Sequence, residues 1–254
     1  MTGRSELMRW TAAAIVLLVV LAEGAGAAPL MLSGSSTMQK RVFEPAQKAI
    51  EKKTGVTLDI VGAGTIRGLK DLMTGNTGAA ISDCPLALAF QETGAPTEGT
   101  YKEHVIAQDQ VVAIVNGKNK MKKLTHEQLA DIHSGRITNW KQLGGADEHI
   151  VVVIPPQTSG TRSVIQDTIM EGAAFVERPY VTVTDREALE VVAKFPSAIA
   201  LLSETFVKGA KGVKVVSTPP LKRQLSIITK NEPPGELAKV IQFLQSREAK
   251  KLFR

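Results

Sequence analysis

The chain has 254 residues, 43% of them hydrophobic and 22% charged, a balance that supports a packed core and excludes wholesale disorder. That length suits one large domain or two lobes of about 100 residues each. Lys and Arg exceed Asp and Glu by 31 to 25, giving +6, which raises encounter rates with anions. With aromatics at only 4% and no arginine-rich run between them, nucleic acid is a weak candidate and no nucleic-acid partner is expected.

At the N-terminus, Arg4 and Arg9 precede an apolar run from Trp10 to Leu21 and then the small residues Gly24 to Ala28. This pattern reads as a secretory signal over residues 1–27, with Ala25 and Ala27 forming the cleavage motif and Ala28 the mature start. The alternative is an uncleaved anchor, but the run is short of the roughly 20 residues a membrane span needs, and Glu23 interrupts any extension. The segment carries Arg4, Arg9, Glu6 and Glu23, so its removal leaves the net charge unchanged. Cys84 is the one cysteine; no disulfide can form within the chain, and none sits near the cleavage site to take a lipid. A freely diffusing periplasmic protein is expected.

From Pro29 onward, short apolar runs alternate with amphipathic segments of helical length. The pattern predicts a strand over 30–32, a helix over 38–53, a strand over 56–61, a helix near 68–73, a strand over 79–81 and a long β-rich run over 104–115. A helix over 126–134, a strand over 150–154 and a helix opening near Thr161 follow, then a strand over 181–183 and a helix over 187–194. Strands over 198–202, 213–216 and 225–229 precede a closing helix over 236–244, introduced by Pro233, Pro234 and Gly235. Such alternation implies βαβ units and an α/β fold. Loops are expected at 94–99, 144–145 and 218–220, and the long strands at 104–115 and 222–230 are the candidates for segments running between two lobes.

Four places share one local pattern: a strand ends, Gly, Ser and Thr cluster, and a helix begins. They are Gly34-Ser35-Ser36-Thr37, Gly62-Ala63-Gly64-Thr65, Thr158-Ser159-Gly160-Thr161 and, more weakly, Thr184-Asp185. Each would present unpaired backbone N–H groups beside hydroxyls, which binds an anion without cationic side chains. Ordinary N-capping is the competing explanation, although three clusters contain glycine, which permits close backbone approach and which capping does not require. Asp83 follows the apolar run 79–81, at a strand's carboxyl end where α/β sheets collect ligands. A carboxylate in an anion site is sensible when it accepts a proton the ligand still carries, as hydrogen phosphate does and sulfate does not; a turn-forming Asp is the alternative.

Signals for catalysis are poor. Gly62, Gly64 and Gly68 are one residue too widely spaced for the dinucleotide fingerprint, and Ser159 lacks the leading glycine of the hydrolase elbow. His104, His126, His133 and His149 show no metal-ligand spacing, so no metal or other cofactor is expected; His126 and His133 read as solvated helix positions. An exported serine hydrolase using Ser159 and a surface polyanion binder remain as competing classes, the latter predicting steep salt dependence.

These clusters, with Ile81-Ser82-Asp83-Cys84-Pro85-Leu86 and Ser159-Gly160-Thr161-Arg162, resemble in order the phosphate-binding proteins of ABC transporters. The likeness extends through 104–107, 114–116, 129–132, Gly135-Arg136-Ile137-Thr138-Asn139-Trp140 and 198–200, covering residues 30–254; the Gly-to-Trp stretch reads as core and loop rather than ligand contact. The resemblance implies a type II periplasmic-binding fold: two α/β lobes joined by crossing strands, residues 28–112 with 205–254 forming the first and residues 113–204 the inserted second. It implies a non-catalytic monomer that delivers phosphate to a membrane permease, or the same fold serving another oxyanion or a sensor. Ser36, Thr37 and Met38, the Thr65 hydroxyl, and Asp83 as proton acceptor would hold the ligand from one lobe, and Ser159, Gly160 and Thr161 from the other. The family usually places an arginine four residues before the serine of Ser-Gly-Thr and an acidic residue two before, where this chain has Pro155 and Gln157; Arg67 or Arg162 is left to supply the charge.

Overall fold

A computed structural model describes residues 28–94 and 101–253; the signal segment and most of the 94–99 loop lie outside them. One eight-stranded sheet runs through the molecule in the order β2-β1-β3-β8-β4-β7-β5-β6. The strands are β1 (Leu30–Gly34), β2 (Leu58–Val61), β3 (Ala79–Ser82), β4 (Tyr101–Asn116), β5 (Val151–Ile154), β6 (Tyr180–Val181), β7 (Ala198–Ser203) and β8 (Val213–Lys230). Alternating with them are α1 (Ser36–Met38), which a π turn joins to α2 (Glu44–Thr54), then α3 (Thr65–Met73), α4 (Leu86–Thr93), α5 (His126–Ser134), α6 (Gly160–Val164), α7 (Asp185–Lys194), α8 (Glu204–Val207), α9 (Gly235–Gln245) and α10 (Arg247–Lys250).

Strand directions place the functional edge. β4 and β8 pair antiparallel along almost their whole length, Tyr101 opposite Lys230 at one end and Asn116 opposite Val213 at the other. β1, β2 and β3 are mutually parallel, and β3 runs antiparallel to the late part of β8. β5, β6 and β7 are likewise parallel, and β7 runs antiparallel to the late part of β4. The two parallel groups therefore run toward each other, and their carboxyl ends meet over the middle of the β4–β8 ribbon. The helix starts that follow those strands are brought to one place from both ends of the sheet.

The ribbon is not regular at that middle. Register shifts fall between Val105 and Ala107 and between Val111 and Ala113, so bulges bracket the segment facing the helix starts. The second bulge absorbs residues 217–220, since Val111 pairs with Leu221 and Ala113 with Val216. Pro219 and Pro220 thus interrupt the ladder of one continuous strand, where a loop between two strands is expected from the sequence; proline is tolerated because the bulge leaves those positions unpaired.

Apolar residues alternate inward and build the core on both faces. Leu32, Met38, Phe43, Ile50, Leu225 and Val240 lie in one cluster at the β1–β3 end, and Val112, Ile114, Val153, Val191 and Leu202 in another at the β5–β7 end. A third cluster, including Leu69, Val111, Trp140, Ile165 and Ile199, joins the two ends. Trp140 is fully buried and donates from Nε1 to the Ser197 carbonyl at 2.9 Å, so the Gly135–Trp140 stretch is core and loop. His133 departs from its expected exposure: it is wholly buried, Nδ1 lies 2.8 Å from the Leu129 carbonyl, and burial pushes its pKa down to about 4. His126 is half-buried against the Pro219 carbonyl rather than fully solvated. α5 packs against the π turn Ile165–Ile169 and His133 is buried near the end of the helix, while His126 at its start is held by the Pro219 carbonyl of the β8 bulge.

Candidate anion site between the sheet halves

Asp83 leaves the carboxyl end of β3 and its side chain is 5% exposed. The Thr65 hydroxyl, at the first position of α3, donates to Asp83 Oδ1 at 2.6 Å and accepts from the Asp83 amide at 3.1 Å. From the opposite half, the Thr161 hydroxyl lies 3.3 Å from Asp83 Oδ2. Gly160 lies so close that a Cβ there would sit 2.2 Å from Asp83 Oδ1 and 2.8 Å from Thr65 Oγ1. No side chain larger than hydrogen fits at that position. The halves are stitched again where the Ile66 amide donates to the Thr158 carbonyl at 3.1 Å. There Gly64, at φ +92°, has no room for a Cβ, which would lie 2.4 Å from that carbonyl oxygen.

The helix starts divide on the question of capping. Ser35 caps α1 through its hydroxyl, which accepts from the Met38 amide at 3.2 Å, and Thr184 caps α7 by accepting from the Glu187 amide at 3.1 Å. Gly64 and Ser159, at the starts of α3 and α6, provide no side-chain cap. Capping therefore accounts for two of the four clusters, and the two without it are those that face each other across Asp83.

The cation at the centre is Arg223, from the middle of β8. Its side chain is 1% exposed, and its nitrogens make four hydrogen bonds and a further ion pair. Nε and Nη2 donate to Asp109 Oδ2 at 2.9 and 2.8 Å; Nη1 donates to the Thr161 hydroxyl at 2.7 Å and forms an ion pair with Asp83 Oδ2 at 3.0 Å; Nη2 also donates to the Thr37 hydroxyl at 3.2 Å. Burial opposes the charge, but the Asp83 and Asp109 carboxylates outweigh it and hold the guanidinium above its ordinary pKa. Asp109 is the cross-strand partner of Arg223 in the β4–β8 ladder, and its other oxygen accepts from Ser203 at 2.9 Å. Because Thr37 and Thr161 accept from Arg223, their own hydroxyl protons are directed elsewhere: that of Thr161 to Asp83 Oδ2, and that of Thr37 toward the cleft.

Of the ten residues expected at the site, Thr37, Thr65, Asp83, Gly160 and Thr161 converge here. Met38 is buried behind α1 with its amide taken by Ser35, and Ser36 and Ser159 line an adjoining cavity of about 230 Å³. Arg67 and Arg162 are not brought in. Arg67 is exposed and pairs with Asp71 at 2.9 Å, one turn along α3. Arg162 points back to the Pro155 carbonyl at 3.2 Å and lies over the Phe175 ring at 4.6 Å.

Among the described residues, the thiol and the imidazoles near the site are engaged elsewhere or held neutral. Burial, then the Asp83 charge, pushes the Cys84 thiol up to about 12. The rings of His104, His126 and His133 bond to Thr229 and to the carbonyls of Pro219 and Leu129, not to Ser159. Among the described residues, no group of three His, Cys, Asp or Glu side chains could hold a metal ion, and no helix is long and apolar enough to cross a membrane.

A family model for a PBP superfamily domain matches residues 20–248. The phosphate-binding protein PstS of Bacillus subtilis (strain 168) is 27% identical over 238 residues, spanning 87% of this chain and 77% of that one. A solved structure from Clostridium perfringens, described as a phosphate ABC transporter substrate-binding protein with bound phosphate, superposes with a TM-score of 0.78 at 26% identity, covering 89% of this chain and 96% of that one. An ABC-type phosphate transport receptor from Vibrio cholerae superposes at 0.68, also at 26% identity, covering 88% and 96%.

Proposed function

We propose, from the premise that this chain belongs to the PBP superfamily, that it is a periplasmic solute-binding protein that takes phosphate between the two halves of its sheet and delivers it to an ABC transporter permease. The fold is α/β, of the type II periplasmic-binding class. The observation that carries the reading is the convergence on buried Asp83 of Thr65 from one half and of Gly160 and Thr161 from the other.

In this reading the amides of Ser36, Thr37, Gly160 and Thr161 and the hydroxyls of Ser36, Thr37 and Ser159 donate to phosphate oxygens, while the Thr65 and Thr161 hydroxyls hold Asp83 in place. Asp83 accepts the proton that hydrogen phosphate retains. Sulfate brings no proton and would set two acceptors against each other, so it is rejected. Arg223 takes the cationic role in place of Arg67 or Arg162, orienting the threonine hydroxyls and balancing buried charge. No bond is made or broken, consistent with relatives that carry substrate rather than transform it.

Residues 28–112 with 205–254 would move as one lobe and residues 113–204 as the other, β4 and β8 bending between them at their bulges. Export through the 1–27 signal and action as a monomer at the permease complete the proposal. Calorimetric titration of the chain from Ala28 onward with phosphate, arsenate, sulfate and molybdate tests it. Saturable binding of phosphate and arsenate at one site per chain is expected; absence of heat with all four anions overturns it.

A further inference from the structure

Asp185 is the group near the cleft that this reading does not use. It opens α7 on the β5–β7 side, and its Oδ2 accepts from the Ser36 hydroxyl, on the other side, at 3.1 Å. The two residues enclose the cavity of about 230 Å³ together with Gly64, Thr158, Ser159 and Pro155. Its wall carries several hydroxyls, no lysine or arginine, and one ionisable side chain, that of Asp185. An anion drawn to Ser36 therefore meets a second carboxyl group with no cation between them.

The charged groups acting on Asp185 come from three strands. Burial raises its pKa first, the Asp83 charge at the end of β3 raises it next, and Asp109 on β4 adds to this; Arg223 on β8 and the Ser36 hydrogen bond oppose, and the outcome is about 6. Two acidic groups held at hydrogen-bonding distance share one proton. A phosphate oxygen facing Asp185 is one such group and the carboxyl is the other.

We propose that Asp185 couples phosphate capture to a proton: one proton is held between a phosphate oxygen and the Asp185 carboxyl, in addition to the proton the ligand offers to Asp83. The inference rests on the phosphate reading above and specifies the ligand as dihydrogen phosphate or its equivalent, the dianion plus a proton taken from solution. Above neutral pH each dianion bound must bring one proton with it, and affinity falls about tenfold per pH unit.

The test is calorimetric titration with phosphate at pH 8.5 in buffers of different ionisation enthalpy, which counts protons taken up on binding. Uptake near one per phosphate is expected for the unaltered chain, and near zero for Asp185→Asn, whose affinity should be level between pH 7.5 and 9. Binding at pH 8.5 without proton uptake, or equal uptake in both proteins, overturns the role of Asp185 while leaving the phosphate reading intact. Absence of phosphate binding at pH 6 as well as pH 8.5 overturns both.

Discussion

Asp83 and Asp185 face the same cleft from opposite halves, and their surroundings could hardly differ more. Asp83 sits in a filled network, its oxygens engaged by Thr65, Thr161 and the Arg223 guanidinium. Asp185 borders open space, with Ser36 as its hydrogen-bonding partner and no cation in the cavity wall. A carboxylate matched by a fixed guanidinium is a standing acceptor that reads whether the ligand brings a proton. A carboxyl without one is free to exchange its own. One residue type, placed in two environments a short distance apart, thus serves selectivity at one position and pH response at the other.

Removing the cation should break this contrast most severely. Arg223→Met takes the shared guanidinium from Asp83 and Asp109 and leaves them buried on hydroxyl contacts, and breaking a buried pair from one side costs about 3–5 kcal/mol. Urea unfolding should show that loss, and Arg223→Lys should recover part of it, since the charge remains but the forked geometry does not. A change below about 1 kcal/mol would mean that Asp83 owes little to Arg223.

A smaller effect is expected from crowding Asp83 at Gly160. A methyl group there would press on Asp83 Oδ1 and Thr65 Oγ1, and overpacking of this kind costs about 1–3 kcal/mol. That strain falls on bringing the halves together, so Gly160→Ala should weaken phosphate binding roughly 10- to 100-fold. Equilibrium dialysis would show it, with thermal stability nearly unchanged.

The smallest effect concerns Asp185 alone. Its pKa is raised by folding, so its contribution to stability is complete below its unfolded value and is lost as pH rises through about 6. Above pH 6, Asp185→Asn should therefore be more stable than the unaltered chain, by about 1–2 kcal/mol once partial solvent contact is allowed for. The difference should vanish near pH 4. His133 acts with the opposite sign, its stability lost as pH falls from 6.5 toward about 4, but it is common to both proteins and cancels in the comparison of their melting curves.

Much of this site is legible in the sequence because its parts are local. Gly64-Thr65, Asp83 after an apolar strand and Ser159-Gly160-Thr161 are each strand ends followed by helix starts, and strand direction alone brings such points together. Arg223 is harder to see, because Asp109, Thr161 and Thr37 lie 114, 62 and 186 positions away. A signal is nevertheless present: Leu221, Arg223 and Leu225 alternate on the buried face of β8, while Lys222 and Gln224 are exposed. Period-two reading assigns that arginine to the interior, where it requires a carboxylate. The prolines at 219 and 220 hid the strand's continuity, and the inward turn of His133 depends on packing that no local pattern encodes.

The most direct measurement is competition between phosphate and sulfate for the unaltered chain and for Asp83→Asn. The unaltered chain should take phosphate in large excess over sulfate, and the amide, which can donate as well as accept, should narrow that preference or reverse it. An unchanged preference in the variant would contradict the account, because Asp83 would then not face the bound anion.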